Sequence, residues 1–269
     1  MDKRVRGDIK IMALLDKMKS SYIAYSQTSV HKRKVEKTRE LIKKVLAKHT
    51  KPYIACSTGK DSLTMLHLIY EIDPNIDVMF HDSGVELPES YEQIKKIEQN
   101  WGINLKVVKS PINVLERYKE RDGIFFGGKG DIAFTEAMGE PIRKWAKENG
   151  YDLAFIGLRQ EESTNRRIML CKNGQYFYCK KYEIYECFPL SFWKKEDIWA
   201  YIFTHPPLEN LIHPAYYKDR LVKDPGDIRI SWYCDPTSAR FGQFLWLKIY
   251  YPDLFRKLAD MFPEIMTYV

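Results

Sequence analysis

Long apolar runs are missing from this chain of 269 residues, and so are paired cysteines, internal repeats and low-complexity linkers. No stretch approaches the roughly 20 apolar residues a bilayer-spanning helix needs. Nor does an apolar signal core follow Met1-Asp2-Lys3-Arg4-Val5-Arg6. These absences predict a cytoplasmic protein without a membrane partner. The five cysteines are an odd number with no C-x-x-C spacing, which fits reduced thiols better than a disulfide frame. Acidic residues are scarce at one end only. Residues 1–51 hold 15 Lys/Arg against 5 Asp/Glu, a balance of +10 against +7 for the whole chain, so the remainder is slightly acidic.

Residues 8–25 and 32–48 read as two helices preceding the first strand. In the second, Leu41, Ile42, Val45 and Leu46 share one face, and basic residues fill the others. Such a helix has a solvated face, an oligomer contact, or a surface for nucleic acid or another polyanion.

The chain is organised around Pro52-Tyr53-Ile54-Ala55-Cys56-Ser57-Thr58-Gly59-Lys60-Asp61-Ser62. A short buried strand from Tyr53 to Cys56 runs into a polar loop and then a helix with apolar residues at Leu63, Leu66 and Ile69. Free backbone N–H groups and the macrodipole at the helix N-terminus make an anion cradle, and Gly59 allows a phosphate close approach. Ser57 and Ser62 add hydroxyls, and Lys60 a point charge. A Walker A loop is excluded: Asp61 follows Lys60, and no glycine stands five positions before Gly59. Lys60 and Asp61 are expected on an exposed loop.

Further strands are expected at 77–84, 104–109 and 151–157, separated by helices at 88–101 and 135–149. Alternating strands and helices imply an α/β fold with a parallel sheet, right-handed crossovers and helices on both faces. Ligands in such sheets sit at the carboxyl ends of the strands, near a topological switch point. Three strand ends are polar: Ser57, the Asp82-Ser83-Gly84 turn and Gly157-Leu158-Arg159. The third opens a block with Arg159, Glu162, Ser163 and Arg166, whose guanidinium groups suit an oxyanion. Asn173-Gly174 reads as the two-residue turn of a hairpin within 168–187. That turn would put Cys171 opposite Tyr176 and Cys179 on the other face, so the eight-residue spacing of Cys171, Cys179 and Cys187 argues against an iron–sulfur cluster. His81 is placed to orient Asp82. A helix is expected to begin after Pro189-Leu190, capped at or just beyond Ser191. Helices near 237–250 and 252–261 pack on the core.

The loop motif S-x-G-x-D-S at 57–62 resembles the pyrophosphate loop of the ATP pyrophosphatases and of the phosphoadenylyl-sulfate (PAPS) reductase family. His81-Asp82-Ser83-Gly84-Val85-Glu86-Leu87-Pro88-Glu89, Gly157-x-Arg159-x-x-Glu162-Ser163-x-x-Arg166, and Pro189-Leu190 to Tyr201-Ile202 look like the successive further blocks of the PAPS reductase family, in family order across roughly 50–215. The resemblance implies an adenine-nucleotide α-hydrolase-like core at 52–215, with a basic helical appendage at 1–51 and a helical extension at 216–269. It implies that Ser57, Thr58, Gly59, Lys60, Asp61 and Ser62 hold phosphates, with Asp82, Ser83 and Gly157 beside the nucleotide. Arg159, Glu162, Ser163, Arg166 and Arg229 would face a distal anion, with Lys60, Asp61, Arg159 and Arg166 catalytic. ATP is the implied nucleotide, and Mg²⁺ would sit at Asp61. The reductases proper carry a Glu-Cys-Gly-x-His-like tail with the nucleophilic cysteine, whereas the last residues here are Pro263-Glu264-Ile265-Met266-Thr267-Tyr268-Val269. Adenylation of an acceptor, with pyrophosphate release, is therefore the expected reaction. The alternatives are sulfonucleotide reduction through Cys234 and a non-catalytic nucleotide-binding regulator or nucleic-acid adaptor.

Overall fold

The computed structural model describes residues 18–121, 123–124, 135–218, 228–235 and 242–269. A helix at 18–26 (α1) and α2 (Ser29–Leu46) lead into β1 (Pro52–Ala55), α3 (Lys60–Tyr70), β2 (Asp77–Asp82), α4 (Pro88–Trp101) and β3 (Asn104–Lys109). A short helix, α5 (Val114–Lys119), was not expected; Asn113 caps it by accepting from the Leu115 and Glu116 N–H groups. The start of the helix expected at 8–25 and the first residues of the one expected near 237–250 lie outside the described residues. Among the described residues, no helix is long and apolar enough to cross a membrane.

Six strands form one sheet in the order β3-β2-β1-β4-β6-β5, where β4 is Leu153–Phe155, β5 is Tyr176–Cys179 and β6 is Ile184–Cys187. All neighbours pair in parallel except β5 with β6. The chain moves from β1 to β2 and β3 on one side, then returns to lay β4 on the other. The switch point therefore lies between the carboxyl ends of β1 and β4, beyond Ala55 and Phe155.

Side-chain alternation sorts two cores. Ile54, Val78, Phe80, Phe155 and Cys187 point into the larger one, with Leu63 and Leu66 of α3 and Ile42 and Val45 of α2. Tyr53, Met79, Ala154 and Ile184 point the other way, to pack on Ala146 of the helix Glu140–Glu148. Both faces of the sheet are covered, as a parallel sheet requires.

The apolar face read from α2 is inserted into the larger core, and a polar anchor holds its other end. Asp197, fully buried on the helix Lys195–Thr204, accepts from Lys34 Nζ at 2.5 Å, Tyr25 Oη at 2.9 Å and the Lys194 N–H at 2.7 Å. That last bond caps the helix at Lys194, later than Ser191.

The hairpin expectation needs correction. Thr164–Asn173 is a helix, and Gly174 ends it with φ +79°. Asn-Gly here is a helix stop, because the same left-handed tolerance that suits a hairpin turn also suits a helix C-terminus. The real hairpin pairs Tyr176 with Cys187 and Cys179 with Ile184, so Cys171 is an exposed helical residue.

Candidate functional site

Beyond β1 the backbone turns sharply. Thr58 adopts φ +63°, the left-handed region that a β-branched residue reaches only under strain. Its hydroxyl is fully buried and has no hydrogen-bond partner among the described residues. Gly59 then caps α3, with its carbonyl accepting the first helical bond from the Leu63 N–H at 2.8 Å. Ser62 braces the loop: its Oγ donates to the Gly59 carbonyl at 3.0 Å and accepts from the Ser57 N–H at 3.2 Å.

Gly157, just past β4, shows why this strand end needs a glycine. A Cβ there would stand 3.2 Å from both the N and Cα of Ser62, which are backbone atoms that cannot swing aside. The end of β4 and the first turn of α3 thus meet main chain to main chain.

The close approach delivers Arg159 to the loop. Its Nε donates to Asp61 Oδ1 at 2.5 Å, while Lys60 Nζ donates to Asp61 Oδ2 at 2.8 Å. Lys60 and Arg159 are only 5% and 3% exposed, so the expectation of an exposed loop is corrected: the loop is roofed. Burial pushes the Asp61 carboxyl up, but Lys60 and Arg159 together hold it below the usual carboxylate range. Burial likewise opposes the Lys60 ammonium, and Asp61 outweighs it, so Lys60 stays charged. Two buried cations share one carboxylate. Glu161 takes another bond from Arg159 Nη1, and Glu162 accepts from the Arg159 N–H at 2.9 Å.

Arg166 reaches this cluster only through Glu162, to which its Nη1 is paired, while its own N–H donates to Ser163 Oγ at 3.2 Å. Ser163 is thus the cap of the following helix. Arg229 adjoins Ile230, whose Cδ1 lies 3.6 Å from where a Gly59 Cβ would stand. The half-exposed Arg229 guanidinium donates to Asp235 at 2.9 Å.

The end of β2 forms the facing wall. Asp82 Oδ1 accepts from Tyr91 Oη at 2.7 Å and from the Gly84 N–H at 3.1 Å. His81 does not orient Asp82, because its Nε2 bonds the Ala137 carbonyl at 2.8 Å. Ser83 Oγ donates at 2.7 Å to Glu86, whose carboxyl is pushed up to about 7 by burial against the opposing pull of that bond. Residues 228–235 run beside this segment, the Tyr233 N–H donating to the Val85 carbonyl at 3.0 Å.

Tyr216 is the neighbour that sequence reasoning missed. Its buried hydroxyl accepts from the Lys60 N–H at 3.1 Å and lies 3.4 Å from where a Gly59 Cβ would stand. His213-Pro214-Ala215-Tyr216 holds it there: the proline starts a 3-10 turn, and His213 is buried against Ser90. Burial drops His213 to about 4, so it packs as a neutral ring.

The residues do not fit a resident Mg²⁺ at Asp61, since both carboxylate oxygens are taken by cations. Among the described residues, no group of three or more His, Cys, Asp or Glu converges to hold a metal. Cys56, Cys187 and Cys234 are buried, and burial pushes the first two thiols up to about 11 and about 12.

Comparison with known proteins agrees with this geometry. The chain is 27% identical over 165 residues to adenosine 5'-phosphosulfate reductase 2 of Bacillus subtilis, covering 61% of this chain and 67% of that one. It is 30% identical over 217 residues to sulfate adenylyltransferase subunit 2 of Shigella dysenteriae, covering 69% and 67%. The solved phosphoadenylyl-sulfate reductase of Candida auris, a phosphate complex, shares the fold with a TM-score of 0.51 at 18% identity, over 68% of this chain and 85% of that one. The phosphoadenosine phosphosulfate reductase domain model matches residues 51–218, and the chain belongs to that family.

Proposed function

We propose that the chain binds ATP in the 57–62 loop and cleaves it between the α and β phosphates, transferring AMP to an acceptor and releasing pyrophosphate. The observation that carries this reading is the Lys60–Asp61–Arg159 cluster, in which two buried cations share one carboxylate beside the N-terminus of α3. Buried cations braced by Asp61 and Glu161 beside a helix N-terminus suit a polyphosphate, whose oxygens can take over their bonds.

An acceptor oxygen attacks the α-phosphorus, the bond from that phosphorus to the α,β-bridging oxygen breaks, and pyrophosphate departs with the electron pair. Charge accumulates on the departing oxygens as the bond lengthens. The first-turn amides of α3, Lys60 and Arg159 are fixed where they stabilise that charge. Asp61 holds both cations in register before the nucleotide arrives, which removes their reorganisation from the reaction step. Mg²⁺ arriving with the nucleotide would add charge neutralisation of its own. In this reading residues 52–215 are the nucleotide core, 1–51 an appendage and 216–269 an extension packed on it.

The names of the relatives support a place in sulfate activation, and they include both an adenylyltransferase subunit and reductases. Burial of Cys234 favours adenylation, since reduction needs a thiolate that can reach the substrate. ATP–pyrophosphate exchange tests the proposal. Radiolabelled pyrophosphate should enter ATP when a competent acceptor such as sulfate is supplied, and Lys60→Ala should abolish that entry. Exchange that survives Lys60→Ala would overturn it.

A further inference from the structure

We propose that a second surface, on the flank of the molecule formed by α2 and the β5–β6 hairpin, binds single-stranded RNA. It stands apart from the adenylation reading and can fail or hold without it. Arg33, Lys37, Lys44 and Lys48 are spaced at 4, 7 and 4 residues along α2 and the turn after it, which puts them in one row along the side of the helix. All four are exposed, while the opposite face is locked in the core by Ile42 and Val45. Glu36 borders the row and Glu40 sits within it, three residues after Lys37 and four before Lys44. Rigid attachment matters: the row is a fixed line of charge, and a mobile tail would present none.

The row ends on aromatic rings. Lys48 Nζ lies 5.3 Å from the centre of the Tyr176 ring, and His49 Nε2 meets the Tyr176 hydroxyl at 2.8 Å. Tyr176 stacks on Tyr185 at 5.4 Å, and Tyr178 sits directly across from Tyr185 in the hairpin. Tyr178 and Tyr185 are 49% and 38% exposed on the edge hairpin of the sheet. Exposed rings held by neighbouring rings offer stacking faces at low entropic cost. A line of cations tracking a backbone beside such rings is the chemistry of single-strand recognition, since a paired duplex hides its base faces.

Fluorescence anisotropy with a labelled 20-nucleotide single-stranded RNA tests this on the full chain. Four neutralised phosphates predict a slope of about −3 for log K against log salt. Lys37→Glu with Lys44→Glu should bring the slope to about −1.5. Tyr178→Ala with Tyr185→Ala should weaken binding about tenfold or more and leave the slope unchanged. Far-ultraviolet circular dichroism and urea midpoints matching those of the parent chain show both variants folded. No binding at 50 mM salt, unaltered affinity in the tyrosine variant, equal affinity for duplex DNA, or preference for phosphatidylserine vesicles would each overturn the proposal.

Discussion

Arg159 donates its Nε proton to Asp61 at 2.5 Å, although the two residues stand 98 positions apart in the chain. The bond ties the carboxyl end of β4 to the first turn of α3, across the switch point of the sheet. Asp61→Asn should leave Lys60 and Arg159 as adjacent buried cations and cost about 3–5 kcal/mol in urea denaturation. A double-mutant cycle with Arg159→Ala should give a coupling energy of about 1 kcal/mol or more. Strictly additive losses would show that the two side chains do not depend on one another.

Gly157→Ala probes the same junction through the main chain. A methyl group 3.2 Å from the Ser62 backbone forces β4 and α3 apart, with an expected stability loss of about 1–3 kcal/mol. ATP affinity measured by calorimetry should fall about tenfold, because Arg159 moves with Gly157. Unchanged ATP affinity in a folded variant would detach the cradle from the strand end.

The parallel α/β sheet, the position of the loop and the polar strand ends at Ser57 and Gly157-Leu158-Arg159 were legible in the sequence. Each follows from a local signal, namely apolar runs of strand length, a small-residue loop before a helix, or arginines just past a strand. What escaped were contacts that join distant segments. Nothing near Tyr216 announces that its hydroxyl will meet the Lys60 N–H, since that depends on how residues 205–218 fold back over α3. Asn173-Gly174 misled because a left-handed glycine serves a helix end as readily as a hairpin. Lys60 reads as a loop lysine until Tyr216 and Ile230 cover the site.

Glu86 gives the protein a pH signature. Its folded-state pKa is raised to about 7 by burial, so between the ordinary carboxylate range and pH 7 the native chain holds a proton that the unfolded chain has lost. Stability from this group is full at pH 4 and declines as pH rises to about 7, by about 3 kcal/mol in all. Glu86→Gln should therefore be no more stable than the parent at pH 4.5 and clearly more stable at pH 8, as read from denaturation midpoints. Parallel pH profiles for the two proteins would show that Glu86 ionises normally.

The cysteines divide by position. Cys171→Ser and Cys179→Ser should leave both turnover and stability nearly unchanged. Cys187→Ser and Cys234→Ser place a hydroxyl where the thiol was fully buried, so each should lower stability by about 1–3 kcal/mol while preserving turnover per folded molecule. Thiol-dependent loss of turnover at Cys171 or Cys179 would assign that residue a chemical role.

Product analysis tests the central claim most directly. The parent chain and its Cys234→Ser variant are each incubated with ATP and sulfate, and separately with adenylyl sulfate and a dithiol reductant. Pyrophosphate formed from ATP by both proteins, lost in Arg159→Ala, with no sulfite from adenylyl sulfate, is the result predicted. Sulfite released by the parent and not by Cys234→Ser, with no pyrophosphate from ATP, would contradict it.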